Sequence, residues 1–249
     1  MDKHFSCLIV APRGSGKSVL TADIIRHAHS KGIRRIAVFC ATEGVNGFYS
    51  KYIPKLFIYN ELTPEHLERI VEDQKDAIMH RQIQGKSTDN LRLLIVMDDV
   101  AYDKKGLSAK ALREIAVNGR HFLISFVLCT QYVTAVPPII RSNFDFIFAL
   151  RDQVQSNVDK LHDLYGIIPT RADFRRVFSS ATEDYRVFAK IRSGLYFYRV
   201  DMSKLNGFKF GDRRLWAYAQ QHFLSDQEKF IRKQTERQEE RHGDRLQLN

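Results

Sequence analysis

The sequence predicts an α/β fold with a mostly parallel central sheet flanked by helices. Three observations carry that expectation. Short apolar runs alternate with stretches of helical spacing, the pattern of strands joined by crossover helices. The first such junction, between the apolar run 5–10 and the helical stretch 19–29, holds Ala-Pro-Arg-Gly-Ser-Gly-Lys-Ser at residues 11–18. A later run, 91–97, is almost wholly apolar, as befits a strand at the sheet centre, and it leads into two aspartates.

Each element follows in order. Strand 5–10 delivers the chain to a tight turn. Gly14 and Gly16 have no Cβ, so backbone N–H groups can curl around anionic oxygens. The helix that follows, 17–29, points its positive end at the same place. This is the setting of a phosphate-binding loop, and the fold expected is that of a P-loop NTPase. Arg13, Gly14, Ser15, Gly16, Lys17 and Ser18 are its expected nucleotide contacts. Lys17 would reach the β- and γ-phosphates of ATP, and the Ser18 hydroxyl would sit on Mg²⁺. The usual pattern opens on Gly, and here Ala11, the smallest substitute, stands there.

Lys31-Gly32 closes that helix, and 35–40 is the second strand. Residues 41–54 read as a loop with two glycines and two tyrosines, and 55–59 as a short strand. Thr63 is an N-cap with Pro64 at the first helical position, opening a helix to about residue 84. Strand 91–97, helix 107–117 and strand 122–130 follow. Pro137-Pro138 breaks the chain before strand 144–150. Helices 154–165 and 170–178 precede a hairpin, 186–191 and 195–200, around Ser193-Gly194. From about Ser225 the chain is mostly charge and glutamine. The expected organisation is an ATPase core over 1–200 and a C-terminal extension, 201–249, partly helical or mobile.

Composition narrows the class. Of the 249 residues 44% are hydrophobic, enough for an ordinary core. The net charge of +10 serves solubility, and it also suits a polyanionic partner, nucleic acid. Cys7, Cys40 and Cys129 lie inside apolar runs, so they read as buried thiols of a reducing compartment, with no disulfide or zinc spacing. No signal peptide or membrane span is read, and a soluble intracellular protein is expected.

The polar residues at the strand ends suggest chemistry. Asp98, at the tip of an apolar strand, suits a Mg²⁺ ion beside phosphates. Asp99 is the candidate that orients an attacking water. Gln131 follows the next strand and could sense the γ-phosphate or hold the water. Arg120 precedes that strand.

Together these pieces resemble the FtsK–HerA superfamily of DNA-pumping ATPases. The resemblance lies in Gly-Ser-Gly-Lys-Ser at 14–18, in the Asp98-Asp99 strand, and in the segment 120–131, similar to that family's arginine–strand–Thr-Gln signature. Pro-Pro-Ile-Ile-Arg-Ser-Asn at 137–143, followed by Phe-Asp-Phe-Ile-Phe, is similar to its next segment. Within the superfamily, the small size, the Asp-Asp pair and Arg120-His121 look most like the genome-packaging ATPases of nucleocytoplasmic large DNA viruses, the poxvirus type. The resemblance covers residues 5–150 and continues through Thr182-Glu183-Asp184 and Tyr196-Phe197-Tyr198. It implies a RecA-like, additional-strand core and a homo-oligomeric ring, pentamer or hexamer, with nucleotide at each interface. Arg120 would then be an arginine finger on a neighbour's γ-phosphate, with Arg141 the second choice. The implied activity is translocation of double-stranded DNA into a preformed capsid, in host cytoplasm or virus factory, with docking on a capsid or portal vertex.

Such a motor grips phosphates rather than bases. Basic runs at 31–35, Asp103-Lys104-Lys105 and 171–176 are candidates, with loop 101–106 placed to couple hydrolysis to movement. Arg13 also makes the loop look like that of large terminase subunits, where the arginine acts in cis. The stretch after residue 150 is too short for the nuclease domain a terminase carries. A conjugation or phage-assembly motor, and a scaffold subunit that binds ATP without turnover, are the other readings.

Overall fold

The computed structural model describes residues 4–98, 110–191 and 194–223. In it the apolar runs become strands buried on both faces. β1 (Ser6–Val10), β4 (Leu93–Asp98) and β5 (Ile124–Thr130) are buried at every position. Strands between two helical layers must be so. The helices are α1 (Lys17–Ser30), the short α2 (Glu43–Asn46), α3 (Pro64–Ile83), α4 (Lys110–Asn118), the short α5 (Pro138–Arg141), α6 (Gln155–Tyr165) and α7 (Arg171–Ala181). The remaining strands are β2 (Arg35–Cys40), β3 (Ile58–Tyr59), β6 (Phe146–Ala149), β7 (Val187–Ile191) and β8 (Gly194–Tyr198).

The strands form one sheet in the order β3-β2-β4-β5-β1-β6-β7-β8. The first six in this order are parallel, and β7 and β8 complete one edge antiparallel. β5 lies between β1 and β4, with Phe126 in register with Ser6 on one side and Ile95 on the other. That inserted strand is the additional-strand arrangement the resemblance implied. Side chains alternate along each strand and divide the core in two. Leu8, Ile95 and Phe126 face α3, α4, α6 and α7, through Leu67, Leu112, Leu161 and Phe174. Cys7, Ile9, Val96 and Cys129 face α1, through Leu20 and Ile25. All three cysteines are buried and unpaired.

Local chemistry sets the boundaries. Thr63 Oγ1 accepts from His66 N at 3.2 Å, with Pro64 in the first turn, so α3 starts where its cap residue stands. Strand 55–59 shrinks to the two residues of β3, because 55–57 coil into a 3₁₀ turn after Pro54. Strand 122–130 begins at Ile124, since Leu123 takes a left-handed conformation (φ 56°). The loop 41–54 is not irregular. The Glu43 carboxylate accepts from Tyr49 N at 2.9 Å and Ser50 N at 2.8 Å, fastening a 3₁₀ turn over Tyr49–Lys51.

Past residue 200 the chain still feeds the core. Leu205, Phe210 and Ala219 are buried. Phe210 N donates to Tyr52 O at 2.8 Å, Trp216 Nε1 donates to Phe210 O at 2.9 Å, and residues 213–223 are helical. Asp99, the loop 101–106, the first residues of helix 107–117, Ser193 and the tail from Ser225 lie outside the described residues. No described helix is long and apolar enough to cross a membrane.

Candidate functional site

The carboxyl ends of parallel strands collect polar side chains, because there the chain leaves the sheet and helix N-termini point inward. The 11–18 loop occupies that position after β1. Its base is tied to β5 through Ala11 N donating to Thr130 O at 2.9 Å. Ala11 is fully buried among the apolar side chains facing α1, so its methyl group packs instead of obstructing the loop. Ser15 Oγ donates to Pro12 O at 2.7 Å and tightens the turn. Gly14 and Gly16 take φ of 77° and 97°, which only glycine adopts without strain. Gly16 stands at the N-cap of α1 and offers no side chain, so the first-turn N–H groups face the loop interior uncapped.

Asp98 is where three elements meet: β4, α1 and the 3₁₀ turn at Tyr49. Its carboxylate is 1% exposed. Ser18 Oγ donates to Oδ2 at 3.0 Å, and Tyr49 Oη donates to the same oxygen at 2.6 Å. Lys17 Nζ lies 3.5 Å from Oδ1, which accepts no hydrogen bond among the described residues. Burial, reinforced by the Asp98 charge, pushes the Tyr49 phenol well above its ordinary range, so it remains an O–H donor. The same causes push the Cys129 thiol up, and it lies 3.2 Å from Thr21 Oγ1. Tyr49 is the site residue that sequence reasoning missed. Its signal was slight: a tyrosine after β2, the strand beside β4, seated by Glu43.

A hollow of about 820 Å³ opens above this cluster, lined by Arg13, Lys17, Ser18, Asn46, Gln131 and Tyr132 among others. The donor set fits a phosphate chain with a hard cation. A buried carboxylate oxygen with no hydrogen bond stands beside a hydroxyl, and magnesium ordinarily takes only one or two protein oxygens, completing its shell with phosphate and water. Gln131 is exposed on the rim. The turn behind it is held by Thr130 Oγ1, which donates to Tyr132 O at 3.0 Å.

The two arginines part company. Arg120 sits in the turn before β5, beside His4 and Asp145. The seven residues of β5 put about 20 Å between that turn and the hollow, so Arg120 does not reach the 11–18 loop of its own chain. Arg141 Nη1 donates to Val133 O at 3.4 Å, in the turn after Gln131.

The arginines of two basic runs have partners within the chain, several of them at the surface. Arg171 holds Asp163 through two bonds of 3.0 Å, Arg175 Nε reaches Asp159 at 2.7 Å, and Arg176 pairs with Asp173 at 2.7 Å. Arg35 donates to Gln74 Oε1 at 2.6 Å and Arg34 to His29 O at 2.5 Å. Lys104 and Lys105 lie outside the described residues.

At the antiparallel flank of the loop, Asp184 and Tyr185 both adopt left-handed backbone (φ 52° and 57°). Each costs ~1–3 kcal/mol relative to a relaxed residue.

The profile of the family described as Poxvirus A32 protein matches residues 1–193. An uncharacterized protein of Acanthamoeba polyphaga mimivirus is 31% identical over 220 residues, covering 84% of this chain and 76% of the relative. One from Invertebrate iridescent virus 6 is 28% identical over 226 residues, 87% of this chain and 85% of the relative. Among solved structures, the genome packaging NTPase B204 from Sulfolobus turreted icosahedral virus 2, in complex with ATP-gammaS, superposes with a TM-score of 0.59 at 16% identity, over 80% of this chain and 98% of that one. The conjugation coupling protein TcpA of pCW3 gives 0.56 at 14% identity, over 85% and 62%. At such identities the likeness is one of fold, that of P-loop ATPases.

Proposed function

The chain belongs to the Poxvirus A32 protein family, and from that premise we propose that it is an ATP-hydrolysing motor that drives double-stranded DNA into a preformed viral capsid. The observation that supports this most is the buried Lys17–Asp98–Ser18 cluster beneath an uncapped glycine turn. Loop amides and Lys17 bind the triphosphate. Lys17 exchanges its ion pair with Asp98 for phosphate oxygens. Ser18 and Asp98 supply oxygens for Mg²⁺, and the ion, when bound, offsets charge on the β- and γ-phosphates. Tyr49 bonds the same Asp98 oxygen as Ser18, Oδ2, and so helps leave Oδ1 free of hydrogen bonds among the described residues. Asp99 accepts a proton from the attacking water, and Gln131 orients that water from the rim.

Arg120 is the residue offered to a neighbour. Its distance from its own hollow suits a finger that acts across an interface in a ring of five or six copies, worth ~10³–10⁵ in rate. Arg141 remains on its own subunit and is the second choice. DNA is held mostly through phosphates. The acidic and basic residues of the chain after residue 223 balance, so the excess of +10 belongs to the rest. That excess sets up a field that draws a polyanion. The ATPase core covers residues 1–200, with the start of the extension, through Ala219, packed onto it; the motor works in host cytoplasm or virus factory, and a capsid or portal vertex is its docking site.

The exposed Arg13 on the loop favours a second reading, a terminase-like motor with its arginine in cis. Steady-state hydrolysis with and without duplex DNA tests the proposal. Turnover stimulated by DNA and lost in Lys17→Ala is expected. Bound ATP without turnover in the assembled protein would make it a scaffold instead. Turnover in a strictly monomeric sample, lost in Arg13→Ala and kept in Arg120→Ala, would establish the cis reading.

A further inference from the structure

The family profile ends at residue 193, and the chain beyond it closes over the C-terminal end of α1. Gly211 N donates to His29 Nε2 at 3.2 Å, and the His29 ring meets Phe208 and Phe210 at centroid distances of 5.9 and 4.9 Å. Lys209 Nζ donates to Lys51 O, and the Phe208 ring stacks on Tyr52. Segments 26–35, 48–57 and 204–214 so form one continuous surface.

Its charge is lopsided. The three segments hold ten lysines and arginines and a single acidic residue, Asp212. That carboxylate is committed, because its Oδ1 accepts from Leu215 N at 2.9 Å. Lys31, Arg34, Lys51, Lys55, Arg213 and Arg214 are exposed, and none forms an ion pair among the described residues. Arg34 donates to the carbonyls of His29 and Ile33, which orient its charge without cancelling it. The 171–176 arginines face carboxylates instead.

Local structure explains only part of this. Lys31 and Arg34 stand at the C-terminal end of α1, where the helix dipole favours cations. Arg213 and Arg214 stand in the first turn of the helix 213–223, where the dipole disfavours them. Cations gathered against both the dipole and their own repulsion require an anion from outside.

We propose that this surface grips the phosphate backbone of double-stranded DNA. The inference rests on the DNA-handling reading above and gives that contact a location. Among the described residues, no large apolar side chain of the three segments is exposed. A protein partner would need such an anchor, and a membrane would take it as a wedge. Phosphate contacts need neither, and they release counterions whatever the base sequence.

Fluorescence anisotropy of a labelled random-sequence duplex, read across salt concentrations with ATPγS and Mg²⁺ present, tests this. The triple variant Lys31→Gln, Lys51→Gln, Arg213→Gln takes one cation from each segment. It should weaken binding about a hundredfold at ~0.1 M salt and flatten the salt slope by about three. Hydrolysis without DNA should stay within about twofold of the wild type. The charge-keeping set Lys31→Arg, Lys51→Arg, Arg213→Lys should bind duplex as the wild type does. A second triple, Lys160→Gln, Arg171→Gln, Arg176→Gln, removes as much charge from residues that face carboxylates. It should lose less than about threefold. Equal losses in the two triples overturn the proposal, because the charge would then act at large. Unchanged duplex binding in the first triple overturns it too, and if sedimentation with phosphatidylserine vesicles is lost in its place the surface belongs to a membrane. A wild-type protein that ignores duplex altogether overturns the DNA reading with it.

Discussion

Two buried aspartates show what separates support from readiness. Asp23 in α1 and Asp98 at the end of β4 are each 1% exposed. Asp23 is saturated: Arg26 Nε donates to it at 2.9 Å, Tyr198 Oη donates to its other oxygen, and His27 lies at 3.5 Å. Burial alone would raise its pKa, but the bonds from His27, Tyr198 and Arg26 outweigh that and hold it at about 2. It pins α1 to β8. Among the described residues, Asp98 draws its two hydrogen bonds to a single oxygen and leaves the other beside the Lys17 ammonium. A fold that can saturate one buried carboxylate can saturate another, so the unsaturated one marks where a ligand is expected.

Substitutions can break that contrast. The largest effect is expected from Lys17→Ala, which should lower ATP turnover at least ~10³-fold, measured as phosphate release in the assembled protein. If turnover survives, the cluster is not a phosphate site. Next, Arg120→Ala should cost ~10³-fold and recover on mixing with Lys17→Ala subunits, since some interfaces then hold both parts intact. No recovery would mean that Arg120 does not act across an interface. Tyr49→Phe removes one donor from Asp98, and the Mg²⁺ concentration for half-maximal activity should rise about tenfold. An unchanged requirement would reduce Tyr49 to packing.

The smallest effect falls on stability. Asp23 has a folded pKa below its unfolded value, so its contribution is fully present above about pH 5 and is lost as pH falls through 3.8 towards 2. Asp23→Asn should therefore cost about 2 kcal/mol at neutral pH, flatten the loss of stability between pH 5 and pH 2, and leave turnover within about twofold. Chemical unfolding across that pH range reads it. An equal loss of turnover would erase the distinction between the two carboxylates.

How much of this was legible in the chain depended on distance along it. The glycine turn, Lys17 and Ser18 are contiguous, and the apolar run before Asp98 announces a buried strand, so local pattern sufficed. Position in the sheet was another matter. That β5 lies between β1 and β4 followed from resemblance, because no periodicity encodes strand order. Tyr49 was hidden because its role needs β2 and β4 side by side and Glu43 bonding two backbone amides beyond a glycine. The run 171–176 reads as exposed charge until α6 packs beside α7 and supplies Asp159 and Asp163. Tyr185 lies within the helix-to-hairpin connection, and a left-handed tyrosine has no compositional mark.

β5 is hydrogen-bonded along both edges and buried at all seven positions, so its two neighbours hold it straight and fix the spacing of its ends. Gln131 extends one tip and Arg120 precedes the other. Were that strand to move as one body, the glutamine and the arginine would move together. In a closed circle of copies, a lever of this kind would pass the firing order from each member to the next with no separate messenger.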